Sequence, residues 1–447
     1  MDYDVRRPRS GLAFHSGSWR EGIRRLFARP TAVVTLLAAL LPTTLSVWAA
    51  DEWTRFRGPN GQGSVATWNF PAALSENNVA WRVALAGQGH SSPIVADGCV
   101  FVASADPATG EQLVQCLDQR DGREIWRYQA PGQVFPKHAF NSFASSTPTW
   151  AGGTLFYAWA TPEHLRVIAL RGSSGERIWQ RDLGPFISQH GFGASPIVFE
   201  DLLIVPNEQD GESFITALDV RDGHTRWMTP RRSEKAAYST PTLFRPAQGD
   251  PQLILTSWAH GVYALDPRTG NPLWELPVFH NRTVGSPLIV GDLVFASSGE
   301  GGIGREMVAV RLGLPQKQRE PAVAYEIRGS LPYVTTPVAS NGLVFLLYDK
   351  GAMTCLEAES GDVVWRQRLS GEFFSSPICL GDKLFLLSRA GEMFVVAADR
   401  QFRLLGGYDF GEPSHATPAA VDGALYVRTE QHLIKLQSTV PAIKPRL

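Results

Sequence analysis

Cysteine is scarce in this chain: four in 447 residues, with no C-x-x-C and no adjacent pair. That excludes a disulfide framework and a thiol-rich metal site. One pairing stays open, because Cys99 and Cys116 flank the Asp106–Gly110 turn at about equal distance and are expected either to be bridged or to be two free thiols. Cys355 and Cys379 read as buried small hydrophobes. Charge of one sign is also lacking, since 42 Lys and Arg meet 43 Asp and Glu for a net charge of −1. Without residues 1–49, which hold seven Arg and three acids, the net charge becomes −5, so no basic face is left for a nucleic acid. The apolar stretch Thr31–Leu41 is too short to span a bilayer. There are no heptads, acidic tails or long polar tracts, and no G-x-S-x-G, H-E-x-x-H, Walker or dinucleotide fingerprint.

The first 49 residues have the layout of a targeting segment: arginines up to Arg29, the apolar stretch, and small residues around Val47-Trp48-Ala49 suited to cleavage. Arg24-Arg25-Leu26-Phe27 is similar to a twin-arginine signal, and a Sec signal on a long N-terminus is the alternative. Either route predicts a periplasmic or cell-envelope protein. Membrane contact is expected only if this segment stays uncleaved as an anchor.

What is abundant is a repeat. Cys116-Leu117…Gly122…Trp126 returns as Ala169-Leu170…Gly175…Trp179, Ala217-Leu218…Gly223…Trp227, Ala264-Leu265…Gly270…Trp274 and Cys355-Leu356…Gly361…Trp365, with Leu nine and Gly four residues before Trp each time. A second mark opens each unit: Ser92-Pro93, Thr147-Pro148, Ser195-Pro196, Thr240-Pro241, Ser286-Pro287, Thr336-Pro337, Ser376-Pro377 and Thr417-Pro418. Each precedes short apolar runs rich in strand formers, four per unit, which predicts an all-β, eight-bladed propeller of four-stranded antiparallel blades. The Gly closes a hairpin turn, and side-chain alternation then puts each Trp on one face, where it wedges between neighbouring blades. Blade five carries Tyr325 in place of Trp after an insertion at 313–320, blade seven offers only 402–405, and blade eight ends near Leu436 with three strands. Trp81 has no blade of its own, so the strand around it is expected to close the eighth. The division is then 1–49 signal or anchor, 50–77 leader, 78–437 propeller and 438–447 tail.

Ala264-Leu265-Asp266-Pro267-Arg268-Thr269-Gly270-Asn271-Pro272-Leu273-Trp274 resembles the Ala-Leu-Asp-x-x-Thr-Gly-x-x-x-Trp unit of the pyrroloquinoline quinone (PQQ) repeat propellers, and the resemblance runs from about Asn78 to Gln437. It implies one of two activities. The BamB-like branch implies a non-enzymatic protein-interaction scaffold with envelope protein partners; the quinoprotein branch implies a periplasmic alcohol or sugar oxidoreductase using PQQ and Ca²⁺. The chain lacks a Cys after the apolar stretch, as a lipoprotein would have, and lacks the adjacent Cys pair common in alcohol-oxidising quinoproteins. The segment Trp53-Thr54-Arg55-Phe56-Arg57-Gly58-Pro59-Asn60-Gly61 resembles the W-x-x-F-R-G-x-x-G leader of exported propellers of planctomycete-type bacteria and reads as an ordered loop or short cap.

Loops that enter the innermost strands and loops between second and third strands share one face, where this family usually binds ligands. Five of the ten His fall in the first class, His90, His138, His190, His280 and His415; the second includes Glu208, Asp210, His260, Arg305, Arg389 and Arg428. His90, His190, Trp258, His260, Arg305 and Arg389 are the candidate cofactor-binding or ligand-binding set, and Glu208 and Asp210 the candidate metal ligands. The competing reading makes these histidines solvated or turn-capping groups and Trp258 a rim-packing residue.

Overall fold

The computed structural model describes residues 52–58, 61–300, 303–313 and 320–438, so the segment 1–49 expected to direct export, residues 314–319 of the insertion and nearly all of the tail lie outside the described residues. Eight antiparallel sheets of four strands follow one another along the chain. Blade one occupies 94–130 and blade two 149–182; blades three to seven begin with Ile197–Phe199, Thr242–Phe244, Leu288–Val290, Val338–Ser340 and Ile378–Leu380. Blade eight takes three strands from 419–437, and its fourth is Val79–Ala84, with Trp81 opposite Lys435 and Val83 opposite Leu433. The two ends of the propeller therefore share one sheet, and its edge is closed. Blade seven does form a full outer strand, Leu404–Asp409, and gains a fifth, because Ser64–Val65 pairs in parallel with Cys379–Leu380.

The repeat frame has a packing cause. In blades one to four and six the small residue stands directly opposite the Trp: Cys116 and Trp126, Ala169 and Trp179, Ala217 and Trp227, Ala264 and Trp274, Cys355 and Trp365. A larger side chain there would crowd the indole. The indole also fits over the turn glycine of the next blade, where there is no room for a Cβ: one added to Gly223 would stand 2.7 Å from the Trp179 ring. The indole N–H then donates to the carbonyl three residues before that glycine, Trp126 to Gly172, Trp179 to Val220 and Trp227 to Pro267 at 2.7, 3.0 and 3.2 Å. Tyr325 substitutes for Trp in the same way, donating its hydroxyl to Ala358 O beside Gly361. Trp274 departs from the pattern and donates to Gln252 Oε1 at 2.8 Å, because blade five has its insertion where the turn would be.

The Ser-Pro and Thr-Pro marks form a second closed system. The backbone N–H of Ser92 donates to the Thr147 hydroxyl, Thr147 to Ser195, and so on through Thr240, Ser286, Thr336, Ser376 and Thr417, whose N–H returns to Ser92. All eight distances lie between 2.9 and 3.3 Å. This hydroxyl ring sits at the upstream ends of the innermost strands and narrows the bore.

Cys99 and Cys116 are free thiols. Cys99 faces Asp118 and Phe101 faces Cys116, so the two cysteines are diagonal neighbours, and their thiols hydrogen-bond to each other.

Candidate functional site

The hydroxyl ring is the floor of a basin of about 640 Å³ that opens on the face formed by loops entering the innermost strands. Its wall carries two imidazole pairs, His90 stacked on His415 with ring centres 4.1 Å apart and His138 on His190 at 5.1 Å. Burial, with the neighbouring His415 and Arg428, holds His90 well below the ordinary range. Burial and then Arg389 push His415 down to about 4, and burial and then Arg282 lower His190. The buried imidazoles are therefore neutral at neutral pH and act as hydrogen-bonding planes rather than cations. Buried Nδ1 atoms of His190 and His415 have no hydrogen-bond partner.

Three carboxylates around this wall are ion-paired. Arg305 meets Asp349 at 3.0 Å and lies over the Tyr348 ring at 4.3 Å; Lys235 meets Glu300 at 2.8 Å, and Arg389 meets Glu372. Burial raises Asp349, and Arg305 with the N–H groups of Tyr333 and Val334 works against that shift. Arg282, with a side chain only 7 % exposed, bonds Gln189 Oε1 at 3.1 Å and lies 3.6 Å from Asp210. Aromatic groups complete the mouth. The loop 131–148 carries Phe140 across to Phe374, ring centres 5.5 Å apart, and the Arg389 guanidinium lies 4.1 Å from the Phe140 ring centre.

Of the residues singled out in the sequence, His90, His190 and Arg305 line the basin, and Arg389 stands at its rim with Nε 3.3 Å from His415 Nε2. His260 does not line it: it is buried, with Nδ1 2.7 Å from Glu275 Oε2 and Nε2 accepting the Arg232 N–H. Trp258 donates to His280 O outside the basin. The carboxylates of Glu208 and Asp210 are directed to different partners. Asp210 accepts the N–H groups of Gln189 and Ala236, whereas Glu208 is buried beside Ser257, Arg231 and Tyr263. Among the described residues no group of three or more His, Cys, Asp or Glu could hold a metal ion, and these two carboxylates do not form the oxygen cage that Ca²⁺ takes.

Three parts of the basin went unread in the sequence. The hydroxyl ring was visible only as a register mark, Arg282 stood in an undistinguished loop, and Phe56, which also lines the basin, lay in the leader. Only the ring had a usable signal, the strict recurrence of a hydroxyl before proline.

Burial of Glu208 has a consequence for stability. Desolvation pushes its carboxyl up to about 7 from an ordinary 4.5, so between those values the folded chain holds a proton that the unfolded chain releases. The Glu208 contribution is full below pH 4.5 and is lost as the pH rises toward 7. Denaturant unfolding of Glu208→Gln at pH 5 and pH 7.5 should show a smaller loss on going to the higher pH than the unsubstituted chain shows; equal losses would refute this account.

A family model described as outer membrane protein assembly factor BamB, of the PQQ-repeat type, matches residues 72–186, 110–332 and 323–409, most of the chain. The chain belongs to the BamB family. Among BamB relatives, that of Yersinia pestis is 21 % identical over 351 residues, 76 % of this chain and 84 % of the relative. Among solved structures, BamB from Moraxella catarrhalis superimposes with a TM-score of 0.57 at 14 % identity, covering 80 % of this chain and 97 % of that one. Quinohemoprotein alcohol dehydrogenase from Comamonas testosteroni superimposes with a TM-score of 0.65, also at 14 % identity, covering 90 % and 83 %. At such identity the two superpositions show the fold alone.

Proposed function

We propose that this chain is an exported, non-enzymatic scaffold of the cell envelope that holds a protein partner in the basin, as its membership of the BamB family suggests. The observation that carries this reading is the basin's chemistry. Its wall offers aromatic planes and stacked imidazoles, of which burial keeps His90, His190 and His415 neutral, while the carboxylates around it are tied to cations, an environment for burying a partner's side chains rather than for moving protons. Phe140, 46 % exposed at the mouth, is the expected anchor. A photo-crosslinking amino acid at Phe140 or Phe374 in cells should trap one discrete envelope protein, and the same group at Leu273 on an outer strand should not. Adducts from Leu273 alone would defeat the scaffold reading.

A second reading, a PQQ-dependent oxidoreductase, draws on Arg282 and Arg305 beside Tyr238 and Tyr333, which would suit a planar polycarboxylate. PQQ would supply two-electron oxidation of an alcohol or sugar. On this reading Arg282, Arg305 and the imidazole pairs would bind and orient it, but Glu208 and Asp210 do not supply the accompanying Ca²⁺ site. Titration of purified protein with PQQ, with and without Ca²⁺, tests it: saturable binding together with dye reduction by an alcohol would replace the scaffold by the enzyme, and no binding removes the enzyme.

A further inference from the structure

The leader crosses the ring. Trp53 pairs with Val95 of blade one, Thr54 O accepts the Trp150 N–H of blade two, and Ser64–Val65 joins blade seven. These contacts lie toward the downstream parts of the innermost strands, the face opposite the basin. Between them the side chains run up the bore. Arg55 donates to Pro241 O of blade four at 2.7 Å, and Arg57 donates to Thr336 O, Pro337 O and Pro377 O of blades six and seven at 3.3, 2.7 and 3.0 Å. Those carbonyls belong to the hydroxyl-ring residues and the prolines that follow them. Phe56, between the two arginines, lines the basin.

Both guanidiniums are buried, Arg57 completely, and among the described residues their hydrogen-bond partners are carbonyl oxygens, with no carboxylate. A buried cation held by carbonyls alone is a costly arrangement unless a preformed set of acceptors surrounds it. The upstream ends of the innermost strands are such a set, because their carbonyls are turned inward where strand pairing has not begun. The glycines of the leader serve the same seat. A Cβ on Gly61 would stand 2.6 Å from the Arg55 guanidinium and one on Gly63 2.7 Å from that of Arg57; both glycines also have positive φ, +67° and +71°.

We infer that the bore is a receptor for an arginine-bearing segment, filled in cis by residues 53–58 and 61–65, and that this built-in plug makes the basin blind, with Phe56 closing the floor that the hydroxyl ring surrounds. An aromatic side chain carried on two guanidinium anchors then becomes part of the binding surface. The inference goes beyond the scaffold reading and holds whichever occupant the basin takes. Any basin ligand enters and leaves by one face, and a segment that competed for the carbonyl seat would open the ring from end to end.

Thiol labelling of the full chain tests this. In a Cys99→Ser background, which removes the one cysteine that is not buried, Phe56→Cys is exposed to N-ethylmaleimide and to a polyethylene-glycol maleimide too bulky for the basin. Phe56→Cys should react with the small reagent and, corrected for reagent reactivity, about tenfold or more slowly with the large one, because only leader release admits the latter. Adding Arg57→Ala, or Gly63→Ala to crowd the Arg57 seat without removing it, should erase the difference. Equal rates in the Phe56→Cys chain, or no reaction with the small reagent, would overturn the plug. An unchanged rate ratio in both anchor variants would overturn the role of the arginine seat. None of these outcomes depends on a partner or on PQQ, so the scaffold reading can fail separately.

Discussion

Trp227→Ala is expected to lower the free energy of unfolding by about 3–5 kcal/mol, the usual cost of truncating a buried Trp. The indole is 9 % exposed and packs on the turn of blade four, where Gly270 leaves it room and Pro267 O accepts its N–H at 3.2 Å. Alanine leaves a cavity at the seam of blades three and four and an unmet carbonyl. Filling from the other side is blocked, because a Cβ on Gly270 would intrude on the same space and Thr229 already donates to Gly270 O at 2.7 Å. Guanidinium unfolding followed by tryptophan fluorescence and by circular dichroism measures the loss. Trp258→Ala, at a half-buried indole outside the seams, is the control and should cost markedly less. Equal costs would mean that the repeat Trp is not what joins one blade to the next.

The second large effect falls on ring closure. Arg428, placed by its loop among candidate ligand groups, is instead buried to 1 % exposure and ties blade eight to blade one. Its Nη1 donates to Ser91 O at 2.9 Å and to Ala103 O at 2.5 Å, and Nη2 donates to the Ser104 hydroxyl at 2.8 Å. Burial pushes its ionisation down to about 9, which leaves it charged at neutral pH. Arg428→Met keeps the bulk and strands three acceptors, at an expected cost of about 2–4 kcal/mol from buried groups left unpaired. Arg428→Lys should recover only part of this, since one ammonium cannot reproduce the planar fork. Because the seam holds the two ends of the propeller together, hydrogen exchange should rise first in Val79–Ala84 and in the blade-eight strands. A methionine variant as stable as the parent would show that the strand pairing of Trp81 closes the ring unaided.

The fold was legible because its cause is local and repeated. Gly four residues before Trp, a small residue opposite that Trp and a hydroxyl before proline each answer a contact made once per blade, so each recurs at fixed spacing. The orphan Trp81 was informative for the same reason: it bore the mark of a fourth strand without the other three. The worn blades were legible in number but not in detail. Blade seven completes an outer strand that includes Gly406, where the approaching backbone of Ala72 takes the place of a side chain.

The site was legible only by class of loop. Loop order put His90, His190 and Arg305 on the face that carries the basin, yet could not tell that His260 turns inward to Glu275 or that Arg428 is a seam residue. Position along a loop says which face a residue occupies, whereas the direction of its side chain depends on what the adjoining blade presents.

The amino-acid sequence by itself determined the number of blades, their order and the sharing of the last sheet between the two ends, because those follow from contacts between residues a fixed distance apart. Only the tertiary structure decided that the imidazoles stack in pairs and that the leader closes the bore. The imidazole pairs join loops of neighbouring blades and the leader reaches across the ring axis, over separations such as that between Arg57 and Pro377, and no periodic spacing encodes a contact that is made once.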